Sequence, residues 1–295
     1  MYANLSASAK GSLCMIGGTF LLTTQDGITK WLTTDYHAGE ILFYRGIGTF
    51  LPILVLVWYG GGWRTLRSGN LPGSLVRGGF ALATSLFVVL SFVQLPLADA
   101  LALIFISPIL LTALSVPLLR ESVGWRRWSA VLVGFFGVLF MVQPGEGGWQ
   151  YFLAFPLIAA CLSAGRDIVT RHLRTADTSL SMLFYSMLIS LLGGAVTLPF
   201  GTHFPSLGEW ALFLIAGVLN SLAHLLSIQA LLMAPAATVA PFRYLSLVWA
   251  AFIGYLVWGD VPDSLKIVGA VLVVGAGLYI LHRETRPSRR PRPTG

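Results

Sequence analysis

Ten apolar runs constrain this chain more than any other feature. Each is close to the ~20 residues that a helix needs to cross a ~30 Å hydrocarbon core. They lie at roughly 12–32, 39–59, 73–94, 98–119, 128–143, 150–172, 179–200, 209–232, 236–258 and 264–283. Turn-formers separate them, among them Gly60-Gly61-Gly62, Leu95-Pro96, the glycine-rich stretch 145–148 and Val261-Pro262-Asp263. Inside lipid every backbone amide and carbonyl needs an internal partner, so runs of this length are helices. The fold class that follows is an all-α integral membrane protein with ten transmembrane helices. Composition agrees: only 11% of the 295 residues are charged, against roughly 25% in soluble domains. The first run follows a stretch with a single charge, Lys10, and continues past Gly17-Gly18 into Gln25-Asp26 without a cleavage site. It reads as a retained span.

The placement of charge sets the expected orientation. Arg64 and Arg67, then Arg120, Arg126 and Arg127, then Arg171 and Arg174 occupy alternate loops, and the tail adds Arg283, Arg286, Arg289, Arg290 and Arg292. The other loops carry Asp35, Glu146, Asp260 and Asp263. Both termini are therefore expected in the cytoplasm, and the net charge of +7 reports orientation rather than a nucleic-acid partner. Eight of the nine tryptophans fall near run ends, as interfacial anchors do; Trp249 is the exception. The basic, proline-rich residues 286–295 are expected to be a disordered tail against anionic lipid head groups. Cys14 and Cys161 lie in apolar runs away from other ligands and are expected as small buried hydrophobes, with no disulfide, metal site or cofactor.

The two halves resemble each other. Asp26-Gly27-Ile28-Thr29-Lys30-Trp31-Leu32 is matched 141 residues later by Asp167-Ile168-Val169-Thr170-Arg171-His172-Leu173, and Leu42-Phe43-Tyr44 at the same offset by Leu183-Phe184-Tyr185. Acidic residues, Glu121 and Asp260, close the fourth and ninth runs. Five spans per repeat is an odd number, so the second repeat is expected upside down relative to the first. Residues 1–145 and 146–285 would form two inverted five-helix repeats around a central cavity, the arrangement of carriers that expose a midplane site to each side in turn.

With Arg45 early in the second run, this ordered set resembles EamA-type members of the drug/metabolite transporter superfamily. The resemblance covers residues 12–283. It departs at Ser246-Leu247, which lacks a proline opposite Ser107-Pro108, and at Ser186, where a second arginine would match Arg45. The resemblance implies an inner-membrane carrier of bacterial type. Its cargo would be amino acids, amines, nucleosides or related metabolites, commonly moved outward.

Ionisable residues within a bilayer are costly and are functional candidates for that reason. Asp26 and Arg45 fall outward of midplane, Asp167 and Arg243 inward. Each acid is expected to neutralise an arginine; the alternative is that Asp26–Lys30 and Asp167–Arg171 are i,i+4 pairs serving helix ends. The guanidinium fork of Arg45 or Arg243 suits a substrate carboxylate, or else structural carbonyls. Asn220, His224 and Ser227 recur on one face of the eighth run, with His224 a candidate ligand or proton carrier. Thr84 and Ser85 in the third run and Ser107 in the fourth offer further polar contacts. Tyr244 and Trp249 suit stacking on an aromatic or cationic substrate, or ordinary packing. Glycines such as Gly134 and Gly275 allow close helix approach, either for a scaffold or for a homodimer contact. Enzyme motifs of the H-E-x-x-H and G-x-S-x-G kinds and a nucleotide-binding loop are missing from the sequence, as are channel filter sequences. A secondary transporter of small molecules is the function expected, with a channel or a structural subunit as the competing readings.

Overall fold

The computed structural model describes residues 6–94, 103–104, 106–120, 124–142, 154–200, 203–258, 264–265, 267–269, 271–272 and 275. The basic tail, Glu121, Asp260 and the end of the tenth run lie outside the described residues. Helices are α1 (Ala7–Leu32), α2 (Ala38–Tyr59), α3 (Leu71–Gln94), α4 (Ser107–Leu119), α5 (Trp125–Val142), α6 (Ala154–His172), α7 (Ser179–Thr197), α8 (Leu207–Met233) and α9 (Leu245–Trp258). The described residues between 264 and 275 are also helical. Four of these, Ala38–Tyr59, Leu71–Ser91, Ser179–Thr197 and Leu207–Met233, are long and apolar enough by themselves to cross a membrane.

Polar side chains start the helices where the sequence changes from loop to apolar run. Ser6 Oγ accepts from the Ala9 amide at 3.1 Å, Thr178 Oγ1 from Ser181 at 3.1 Å, and Glu209 from the Ser206 amide at 2.7 Å. Each satisfies a donor that the first turn leaves open. The ninth run is not one helix. A turn at Ala236–Val239 and a 3₁₀ segment at Ala240–Tyr244 precede α9, because Pro241 supplies no amide for an α-helical ladder.

Neighbours in sequence are mostly not neighbours in space. Helix α1 lies along α8, α2 packs on α7 and α8, α3 on α6 and α7, α4 on α6, and α9 on α1. The halves are thus interdigitated. Exchanging each helix for the one five later leaves this pattern unchanged: α1 on α8 becomes α6 on α3, and α1 on α9 becomes α6 on α4. The α2–α8 crossing is close enough to demand glycine. A Cβ on Gly217 would stand 2.4 Å from the Arg45 carbonyl oxygen and 2.7 Å from the Gly48 Cα, and one on Gly48 would stand 2.8 Å from the Leu214 carbonyl oxygen. Gly134 has a role within the chain, its α-carbon lying under the ring of Tyr244. Cys14 is half-buried and Cys161 exposed, so the expectation of a buried thiol fails at Cys161: its side of α6 faces away from the other helices.

Asp177, in the turn between α6 and α7, ties that turn to the start of α3. It accepts from the amides of Gly69 at 2.6 Å and Asn70 at 3.3 Å, and from the hydroxyls of Ser68 at 2.8 Å and Ser74 at 2.7 Å. Burial pushes its carboxyl up, but these donors together outweigh burial and hold it below the ordinary carboxylate value.

Two stability predictions follow from these contacts. Gly217→Val is expected to cost about 1–3 kcal/mol by overpacking, read as a lower thermal midpoint of the purified protein, with Gly208→Ala, which meets nothing within 4 Å, as the silent control. Asp177→Ala is expected to cost about 1–2 kcal/mol at any pH above the unfolded carboxylate value of ~3.9. That difference shrinks as pH falls through the lower native value, since a depressed pKa stabilises only while the group is ionised.

Candidate functional site

A cavity of about 310 Å³ lies between the two halves. Along α1 its lining runs from Met15 to Lys30, along α3 from Thr84 to Val89 and along α9 from Ser246 to Ile253. It therefore reaches toward the end of the molecule that carries the α1–α2 turn. The other end is filled by a core that includes Met15, Leu111, Leu231, Val239, Phe242 and Tyr244.

Nine of the polar residues singled out from the sequence as site candidates line this cavity: Asp26, Arg45, Thr84, Ser85, Ser107, Asn220, His224, Ser227 and Arg243. The periodicity that placed Asn220, His224 and Ser227 on one face of α8 brings all three to the cavity wall. Asp167 stands behind the lining and holds Arg243 Nη2 at 2.6 Å and Arg166 Nε at 3.3 Å. Arg171 turns away from it and donates to the carbonyls of Leu231 at 2.7 Å and Leu232 at 3.3 Å, closing the C-terminal end of α8. The i,i+4 alternative therefore does not hold at Asp167, because α8 ends within reach of Arg171 and offers open carbonyls.

At Asp26 the link to arginine is indirect. Gln25 donates from Nε2 to Asp26 at 3.2 Å and to Thr29 at 2.7 Å, while its Oε1 accepts from Arg45 at 3.2 Å. Gln25 is 1% exposed, and an amide that both donates and accepts can serve an acid and a guanidinium together. Tyr244 does not reach the cavity: it is fully buried in the core against α5. Placing it in the 3₁₀ segment rotates it away from the face that Arg243 shares with Ser246. Trp249 also stands behind the wall, its indole donating to Thr19 at 3.3 Å and its ring meeting Phe20 edge-on at 5.4 Å.

Two arginines not singled out from the sequence prove central. Arg166 precedes Asp167 and donates also to Ser163 at 3.2 Å. Arg77, from α3, donates to Thr170 at 2.7 Å, to the Met182 carbonyl at 3.1 Å and to the Ser186 hydroxyl. The serine that departs from the family pattern in the seventh run is thus the partner of a guanidinium supplied by another helix. A signal for Arg166 was present, since the 141-residue offset aligns it with Gln25, next to the paired Asp26 and Asp167. Nothing in the sequence alone pointed Arg77 inward.

The EamA-like transporter family matches the chain twice, at residues 9–143 and 149–281. An S-adenosylmethionine uptake transporter of Rickettsia bellii is 30% identical over 91% of this chain and 94% of its own length. A pseudopaline exporter of Pseudomonas aeruginosa is 29% identical over 90% and 94%, and a riboflavin transporter of Rhizobium johnstonii 30% identical over 97% and 95%. A solved crystal structure superposes with a TM-score of 0.80, covering 94% of this chain and 97% of that one at 14% identity; at that identity the likeness bears on the fold alone. Apolar helices and this kinship make the protein a multi-pass membrane transporter, not an enzyme.

The ion pair yields a test of how the site is held. Asp167→Asn is expected to lower stability by about 3–5 kcal/mol, since it leaves buried guanidinium groups without their carboxylate. Adding Arg243→Met in the same protein is expected to restore part of that loss, measured as a double-mutant cycle on the thermal midpoint.

Proposed function

The chain belongs to the EamA-like transporter family, and we propose that it carries a small amphipathic metabolite, an amino acid or a related compound, across the bacterial inner membrane by alternating access. The observation that carries this reading is the cavity between the halves, lined by Asp26 and Arg45 from the first and by Arg166 and Arg243 from the second, with Asp167 behind its wall. A zwitterion presents the complementary pair of charges, and a guanidinium fork suits its carboxylate. The names of the relatives, which speak of S-adenosylmethionine, pseudopaline and riboflavin, support a polar metabolite as cargo and include both uptake and export.

Ten spans with both termini cytoplasmic, in inverted halves 1–145 and 146–285, fit this mechanism. The exchange of contacts between helices five apart and the family's match in each half support the repeat. In that orientation the cavity faces outward and the core around Phe242 and Leu111 seals the cytoplasmic side. Transport then requires the second half to adopt the packing of the first, opening the cavity inward. We assign export as the direction. Exchange or facilitated movement is the proposed energetics, since the membrane carboxylates are already engaged with arginine or glutamine.

Uptake into liposomes of labelled neutral, aromatic, basic and acidic amino acids, S-adenosylmethionine and riboflavin tests this, with and without an imposed pH gradient. Saturable movement of an amino acid that ignores the gradient is expected, with Arg45→Met and Arg243→Met each lowering it about tenfold or more. Full transport in both variants would remove the arginines from recognition. Right-side-out and inverted vesicles, compared for the same substrate, test export.

A further inference from the structure

The buried charges at the middle of the protein do not balance. Arg45, Arg77 and Arg166 are 9%, 3% and 9% exposed, and the side chain of Arg243 is 14% exposed. Among the described residues, two carboxylates, Asp26 and Asp167, face these four guanidinium groups. The other buried acids among the described residues, Glu40 and Asp177, stand at the ends of the helices and are occupied there. Glu40 accepts from the amides of His37 at 2.8 Å and His203 at 2.6 Å, and Asp177 takes the start of α3. A buried cation without a counter-charge costs several kcal/mol, so two surplus positive charges mark a place where an anion belongs.

A small pocket stands at that place. It has about 20 Å³ of room, enough for one water-sized body. Arg45, Arg77 and Arg166 line it together with Asn220 and His224. Arg45, Ser85, Arg166, Asn220 and His224 line the large cavity as well, so the pocket is a side chamber of the site. Lys and Arg donors in a low-dielectric setting favour a charged acceptor over water.

We propose that this side chamber binds one small monovalent anionic group, either a carboxylate of the substrate or a free inorganic anion of chloride size. The helices α2, α3 and α6 each supply one guanidinium, and Asn220 of α8 adds an amide donor. Arg77, whose hydrogen-bond partners are all neutral, and Arg166, which shares the single carboxylate of Asp167 with Arg243, are the specificity-determining residues. A substrate with a second carboxylate fills the chamber with its own charge; a neutral zwitterion leaves it to a free anion. The inference rests on the transporter reading for its biological meaning, while its test reads binding alone.

The full chain in lipid nanodiscs is titrated with sodium chloride or sodium acetate replacing the bulky sulfonate of sodium MES at constant ionic strength. The thermal midpoint is followed by tryptophan fluorescence. A saturable rise with either anion is expected, weakened about 10- to 100-fold in Arg77→Gln and Arg166→Gln. Ser190 also lines the chamber, and Ser190→Val, which narrows it without removing charge, is expected to weaken the rise also and guards against a guanidinium variant that fails to fold. Glutamate and glutamine separate the two sources. A preference for glutamate that chloride competes away identifies the substrate's second carboxylate. Chloride binding that leaves both amino acids unaffected identifies a free anion, and either result sustains the proposal. No saturable shift with either anion in the folded protein, or an unchanged shift in all three variants, overturns it. Anion binding without any liposome uptake would remove the transport reading and leave the chamber; uptake without anion binding would do the reverse.

Discussion

The contact between Asp167 and Arg243 organises the centre of this protein. One carboxylate on α6 holds a guanidinium at the entrance to α9 and another one residue before itself, the second buried and the first largely so. In a medium that solvates charge poorly, such groups stay where their partners are. Arg243 lies in the 3₁₀ segment that breaks the ninth span, so the ion pair fixes the position of a stretch that backbone hydrogen bonds hold only loosely. That same stretch carries Phe242 and Tyr244 into the core that closes one end of the cavity. The closed end and the polar wall are therefore two faces of one five-residue segment.

Interdigitation of the halves gives the site its chemistry. Because α1, α2 and α3 pack on α6, α7 and α8 rather than on one another, residues from both halves meet at one cavity. The halves are alike in placing an aspartate on their first helix and a threonine three residues later. They differ in where the guanidinium sits: on the second helix in the first half, as Arg45, and on the first helix in the second half, as Arg166. Gln25 and Ser186 occupy the exchanged positions, and each hydrogen-bonds to an arginine. A near-symmetric scaffold thus holds an asymmetric, cationic site.

Much of this was legible before the structure. The apolar runs predicted the helices, and the cost of charge in lipid singled out Asp26, Arg45, Asp167 and Arg243. The spacing of Asn220, His224 and Ser227 placed them on one wall. Arg77 is not legible in the sequence, because six residues from a helix start is also where an arginine can snorkel to the interface, and only packing against Thr170 and Ser186 decides which it does. For Tyr244 the sequence left substrate stacking and ordinary packing both open, and the 3₁₀ winding around Pro241 decided for packing.

The sequence by itself determined the membrane class, the helix-forming segments and the small set of ionisable groups that lipid would expel unless the protein held them. Those follow from properties of single residues and of short runs: transfer cost, backbone hydrogen bonding and periodicity. Only the tertiary structure decided which charges meet. Asp167 chose Arg243 and Arg166 over Arg171, Gln25 came between Asp26 and Arg45, and Arg77 joined from a third helix. Pairing of this kind depends on distances between helices far apart in the chain, and electrostatic energy in a low-dielectric interior changes steeply over those few ångströms.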